Sequence, residues 1–140
     1  MPAWLQQKLW SLTDPLRVDQ AELLKNIAED LSGAGPLSSS AMAAIFSLFE
    51  RFPGIDANGA FHNLSRLLEE QPATLASLVR SLQRQPSVMG LRLLNVFMVD
   101  GVETCDGLSL KNLLRSIYLR QNIPEGVVQE AKHLLALHNA

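Results

Sequence analysis

The chain has 140 residues, of which 47% are hydrophobic and 19% are charged. This length is enough for one domain with a sizeable core, and this composition excludes a largely disordered chain. A formal net charge of −2 excludes a strong long-range attraction to nucleic acids or to anionic lipids.

The start of the chain and its cysteine content favour a reducing compartment. The polar residues Gln6, Gln7 and Lys8 follow directly on Met1 to Leu5, which is not the pattern of a secretory signal. No apolar stretch approaches the ~20 residues that a membrane span needs. The single cysteine, Cys105, excludes an intramolecular disulfide. We therefore expect a cytoplasmic protein with no membrane partner.

Apolar residues recur at steps of three and four along the chain, which is typical of helices. Caps and breakers divide the chain into about eight helices. A first helix is predicted over 3–12, and a second begins at Asp14-Pro15 and ends before Gly33. A third begins among Ser38 to Ser40 and extends to about residue 52, and a fourth covers 57–70. A fifth lies between Pro72 and Gln85, a sixth covers 88–100, a seventh covers 108–118, and an eighth follows Pro124.

The sixth predicted helix is apolar on nearly every side. Only Gly90, Arg92 and Asn95 interrupt its run of large apolar residues. A helix of this composition is buried by neighbours on several sides. We expect it to lie at the centre of the fold.

Eight helices with short turns pair naturally into four antiparallel hairpins. Leu78-Val79-Arg80-Ser81 is echoed by Leu113-Leu114-Arg115-Ser116, and helices started by Pro86 and Pro124 follow. Such a spacing is typical of stacked helix pairs. The sequence therefore predicts a single all-α domain over 1–140, a HEAT-like α-solenoid of stacked hairpins, with an irregular helical bundle as the alternative.

No catalytic, cofactor or metal residues are assigned. The histidines His62, His133 and His138 lack the spacing of a zinc motif, and Cys105 lies between two acids that would raise its pKa. The glycines form neither a phosphate-binding loop nor a dinucleotide motif.

The segment 100–107 contains three acids, Asp100, Glu103 and Asp106, and no base. Val102 and Lys111 occupy positions where a calcium-binding EF-hand loop needs oxygen ligands. One interpretation is a solvated turn in which Asp106 or Ser109 caps the next helix. The other is an acidic recognition loop for a basic partner.

A second acidic group, Glu69-Glu70, ends the fourth predicted helix. If the hairpins stack, the second helix of each pair contributes to one shared surface. That surface would carry the following mixed set: Glu22, Glu29, Arg66, Glu69, Arg92 and Asn95. Arg80 and Arg84 lie one turn apart and could contact phosphates, but no aromatic residues interleave them, so we expect no nucleic-acid partner.

Residues 75–137 resemble the small all-α immunity proteins of bacterial polymorphic-toxin systems, which include contact-dependent growth inhibition. The resemblance rests on Leu78 to Leu82, on Gln85 to Asn95, on Leu113-Leu114 and on Glu130 to Leu135. It implies a non-enzymatic cytosolic inhibitor that binds a cognate toxin domain and blocks its active site or substrate path.

The predicted contact groups for such a toxin are Asp100, Glu103 and Asp106, with Glu69 and Glu70 as weaker candidates. Two other functions stay open: a helical-repeat scaffold or adaptor without a toxin partner, and an enzyme with an unrecognised site. The oligomeric state does not follow from the sequence.

Overall fold

The computed structural model describes residue 7 and residues 17–33, 35–56, 59–71 and 73–139. Within these ranges the chain forms seven helices and one small hairpin. In chain order these are α1 (Val18–Ser32), α2 (Ser39–Arg51), α3 (His62–Glu69), α4 (Thr74–Arg84), α5 (Val88–Val99), β1 (Thr104–Cys105), β2 (Leu108–Ser109), α6 (Leu110–Tyr118) and α7 (Glu125–Leu137). The mostly helical class is confirmed. Of the predicted helix over 3–12, only Gln7 belongs to the described residues.

Serine side chains cap three of these helices at their N-termini. The hydroxyls of Ser38, Ser87 and Ser109 accept from the backbone N–H three residues later, at 3.1, 2.9 and 3.3 Å. Each cap satisfies one of the N–H groups that a first helical turn leaves without a partner. Of the three serines predicted as possible caps of α2, Ser38 is the cap, and of the two alternatives Asp106 and Ser109 for α6, Ser109 is the cap.

Three helices begin later than the sequence pattern indicates. The helix predicted from residue 108 begins at Leu110, because Leu108 and Ser109 form β2. Arg17 is extended, with ψ at 139°, and α1 begins at Val18; the predicted cap at Asp14-Pro15 lies outside the described residues. The start of α3 at His62 follows a turn in which Gly59 N–H donates to the carbonyl of Asp56 at 3.1 Å. The predicted start of this helix at residue 57 lies outside the described residues.

The helices contact one another in two series. In one series, α1 contacts α3, α3 contacts α5, and α5 contacts α7. In the other, α2 contacts α4, and α4 contacts β1 of the hairpin that precedes α6. Contacts between α4 and α5, and between α6 and α7, join the two series. The core lies between them and includes three packed rings, Phe46, Phe49 and Phe61, with neighbouring centroids 6.3 and 5.4 Å apart.

Helix α5 is central in its first half only. It contacts α2, α3, α4 and α7, and its residues 88–91 are buried, as expected. Its last turn extends past these neighbours, and Val99 is 66% exposed. The prediction of burial on several sides is therefore wrong for this end of the helix.

The strands β1 and β2 also differ from the sequence prediction, in which the segment 100–107 is an acidic turn or loop without strands. Each strand has only two residues, which is too short for a visible alternation of apolar and polar side chains. None of the helices in the described ranges is long and apolar enough to cross a membrane.

Candidate interaction surface

The acidic segment after α5 is an ordered hairpin. Thr104 pairs with Ser109, and Cys105 pairs with Leu108. Asp106 and Gly107 form the connecting turn, with φ angles of 51° and 82°. Two consecutive positive φ values define a type I′ turn, whose twist matches that of antiparallel strands, and Asp-Gly is among its preferred sequences. This dipeptide was the signal that could have predicted the hairpin.

Backbone hydrogen bonds hold the hairpin to the helices on either side. Gly101 N–H donates to the carbonyl of Met98 at 3.1 Å, and Val102 N–H donates to the carbonyl of Phe97 at 3.0 Å. With Gly101 at a φ of 93°, this is the Schellman ending of a helix. On the far side, Leu110 N–H donates to the carbonyl of Glu103 at 2.9 Å. The segment is thus fixed at both ends.

The three predicted contact acids lie together on this fixed segment. Asp100 ends α5, Glu103 precedes β1, and Asp106 occupies the turn. All three are exposed, and within the described part of the chain none of them forms an ion pair. Three carboxylates on one ordered segment create a negative local potential that can attract a basic surface.

Two large apolar side chains at the ends of α5 and α7 are exposed. Val99 is 66% exposed, and Leu137 at the end of α7 is 54% exposed. The ends of α5 and α7 are tied together, since His138 Nε2 lies 2.6 Å from Asn95 Oδ1. A cavity of about 450 Å³ opens beside the hairpin, with Met98, Val102, Glu103, Thr104, Ser109, Leu110, Lys111 and His138 in its walls. The exposure of Val99 and Leu137 was not predicted, because their spacing is that of core residues.

The weaker candidates, Glu69 and Glu70, occupy a different place in the fold. They are exposed at the end of α3. Glu70 lines a groove between α1 and α3 together with Glu29 and Arg66, and no residue of this groove lines the cavity beside the hairpin. The predicted contact groups therefore separate into two sets.

Arg92, another member of the predicted shared surface, has structural partners. Arg92 Nη1 lies 2.9 Å from Asp56 Oδ2, and its Nε lies 2.8 Å from Glu130 Oε1. These two ion pairs connect α5 to the loop before α3 and to α7. Arg92 is thereby occupied in holding helices together.

The arginine pair on α4 is also partly occupied. Arg84 donates to both carboxylate oxygens of Glu50, at 3.1 and 3.0 Å, and the Ser81 hydroxyl donates to the same carboxylate at 2.9 Å. Only Arg80, which is exposed and has no ion pair among the described residues, keeps its charge available.

Cys105, His62 and His133 lie on three different elements, β1, α3 and α7. No three His, Cys, Asp or Glu side chains there could hold a metal ion. Burial raises the pKa of the Cys105 thiol, the charge of Asp106 raises it further, and the charge of Arg80 lowers it. His62 and His133 are exposed. A raised thiol pKa makes the thiolate scarcer, which disfavours a nucleophile.

Comparison with known proteins adds no further assignment to these residues: no family model, curated protein or solved structure matches the chain.

Proposed function

We propose that this protein is a cytosolic immunity protein that binds a cognate bacterial toxin domain and neutralises it by occluding the active site. The resemblance of residues 75–137 to immunity proteins of polymorphic-toxin systems suggested this function. The observation that carries it is the ordered hairpin with Asp100, Glu103 and Asp106 exposed and without ion pairs among the described residues.

The surface around the hairpin combines two properties that tight protein inhibitors need. Complementary charges speed the encounter and set the orientation, while a few apolar anchors supply most of the affinity. The three carboxylates provide the first property. Val99, which directly precedes Asp100 and is 66% exposed, provides the second. A toxin domain with a basic active-site rim is the partner that fits this combination.

We further propose that the two series of helices form a short α-solenoid of stacked hairpins, with an irregular bundle as the alternative. The contacts of α1 with α3, α3 with α5, and α5 with α7 support it, since each helix meets the equivalent helix of the next pair. The two related tetrapeptides, at 78–81 and 113–116, occupy α4 and α6, which are both first helices of a pair.

The test is co-expression of this chain with the product of the gene immediately upstream. The proposal expects a stable complex and protection of the host cell from that product. A matched strain would carry the chain with Leu94→Asp, which places an uncompensated charge in the core and should abolish protection. A toxic neighbour that neither binds this chain nor is neutralised by it would refute the proposal.

A non-catalytic scaffold or adaptor is the second candidate, and the layered helix contacts favour it as well. The same co-expression separates the two functions. A scaffold would leave the toxicity of any neighbouring toxin unchanged, whereas an immunity protein removes it.

A further inference from the structure

Two basic side chains, Arg80 on α4 and Lys111 on α6, lie beside the acidic hairpin. Helix α4 contacts β1, and Arg80 is close enough to Cys105 of that strand for its charge to lower the pKa of the thiol. Lys111 follows Leu110, whose N–H donates to the carbonyl of Glu103 at 2.9 Å, and it lines the same cavity as Glu103. The surface around the hairpin therefore carries charges of both signs.

Each of these two cations has one of the hairpin acids near it. Asp106 and Arg80 both act on the Cys105 thiol, with opposite effects on its pKa, which places both charges close to that sulfur. Lys111 and Glu103 lie in the walls of one cavity of about 450 Å³. The acids and the bases thus belong to one patch of surface.

The charges of this patch are not paired with one another. Arg80 and Lys111 are exposed and, like the three hairpin acids, form no ion pair with any described residue. Arg80 donates to the Ser77 hydroxyl at 3.5 Å, which leaves its charge uncompensated. One helical turn away, by contrast, Arg84 is held by Glu50 at 3.0 Å. Charges that stay unpaired inside the chain are available to groups outside it.

A patch with charges of both signs selects a partner more narrowly than an acidic patch does. Acids alone attract any basic surface. Bases beside the acids repel a uniformly basic surface, because like charges that face each other across an interface cost free energy. The same bases attract a surface on which carboxylates accompany the cations. The mixed pattern therefore decides which basic surface can bind.

We propose that the toxin-binding surface extends from the hairpin acids to Arg80 and Lys111, and that its partner presents a basic surface bordered by carboxylates. This inference rests on the proposed function, because it describes the partner of the same surface. It goes further in giving an attractive role to two cations that would otherwise only weaken the negative potential of the hairpin.

Two six-residue peptides with blocked ends serve as probes. One contains only Lys, and the other has four Lys between two terminal Glu, so both are net positive. Backbone amide NMR signals of the full chain are followed during titration with each peptide at about 0.05 M salt, where surface charges are weakly screened. We expect both peptides to shift signals of residues 100–111.

The variant Arg80→Gln/Lys111→Gln separates contact with carboxylates from a mere change of net charge. We expect it to bind the all-Lys peptide about two- to fivefold more tightly and the Glu-bearing peptide about two- to fivefold more weakly, as for exposed charge pairs. The matched control is Lys25→Gln/Arg66→Gln, which removes two exposed bases from α1 and α3 and changes the net charge equally. This control should not weaken binding of the Glu-bearing peptide.

Three results would overturn the proposal. A rise in affinity for both peptides would mean that the two cations act only through net charge. Unchanged affinities would mean that they do not belong to the surface, and equal weakening in the control would mean that the effect is not local. These titrations contain no toxin, so their outcome is separate from that of the co-expression. Protection of the host cell by a chain whose Arg80→Gln/Lys111→Gln variant leaves both affinities unchanged would retain the proposed function and refute this inference.

Discussion

Gly126 at the start of α7 lies directly against the carbonyl oxygen of Gly54: a Cβ atom on Gly126 would be 2.5 Å from that oxygen. The same turn accepts a hydrogen bond from the start of α5, since Val88 N–H donates to the carbonyl of Pro53 at 2.7 Å. The turn after α2 thus brings the N-termini of α5 and α7 to one point. These contacts position the α6–α7 pair, and with it the hairpin.

Replacement of Gly126 tests this junction. Gly126→Ala should lower the free energy of unfolding by about 1–3 kcal/mol, because the added methyl group meets backbone that cannot yield easily. Urea denaturation measures the change. Gly33→Ala is the matched control: the nearest atoms to its Cβ would be 3.9 Å away, and its φ of −82° suits any residue. An unchanged stability of Gly126→Ala would contradict the close packing of α7 on the turn.

The hydrogen bond between Ser81 and Glu50 predicts that the two partners of the Glu50–Arg84 ion pair contribute unequally to the free energy of unfolding. Ser81 is buried, so Glu50→Ala leaves its hydroxyl without an acceptor and should cost about 1–3 kcal/mol of unfolding free energy. Arg84→Gln removes only the exposed arginine, which should cost no more than about 1 kcal/mol. Equal losses in urea denaturation would mean that the hydroxyl bond contributes nothing. Asp19→Ala, in the exposed pair of Arg17 and Asp19, provides the baseline.

The turn geometry of the hairpin predicts which substitutions it tolerates. Gly107→Val should open the hairpin, because a β-branched residue is strained at a φ of 82°. Asp106→Asn should leave it intact, because Asn readily adopts a positive φ. Hydrogen exchange of the Leu110 N–H, which bonds to Glu103, measures local opening. Slow exchange retained in Gly107→Val would contradict the assigned turn.

Much of the fold could be predicted from the sequence because its helices begin and end at strong local signals. Ser38 and Pro53 delimit α2, and Pro86 and Pro124 precede α5 and α7. Such signals act within a few residues, so they are visible in the chain itself. Helix order in space depends on which apolar faces meet, and periodicity does not encode that.

The acidic residues of the candidate surface could be predicted from the sequence, but the hairpin that carries them could not. Asp100, Glu103 and Asp106 were identified by their charge, and the structure places them on one segment. The hairpin was missed because its two-residue strands depend on the Asp106-Gly107 turn and not on a periodic pattern. Val99 was assigned to the core because a helix pattern does not reveal where neighbouring helices end.

The pKa of the Cys105 thiol reports the charges around the hairpin. Burial and Asp106 raise its pKa and Arg80 lowers it, so Asp106→Asn should lower this pKa and Arg80→Gln should raise it. Below the thiol pKa, alkylation by iodoacetamide follows the thiolate fraction, so the first variant should react faster and the second more slowly at neutral pH. The pH profile of the alkylation rate measures both shifts, and parallel shifts in the two variants would contradict the electrostatic assignment.

The central claim, that the hairpin acids guide a basic partner, is tested most directly by the association rate constant with the proposed toxin partner. The variant Asp100→Asn/Glu103→Gln/Asp106→Asn removes three charges while keeping the size of each side chain. The control Glu22→Gln/Asp30→Asn/Glu125→Gln removes three exposed charges elsewhere. Stopped-flow measurements are made at about 0.05 M salt, where surface charges are weakly screened, and at about 0.5 M salt, where they are strongly screened. We predict an association about tenfold slower at low salt, with weaker salt dependence, for the hairpin variant alone. Equal rate constants and equal salt dependence for the hairpin variant and the unaltered chain would contradict the account.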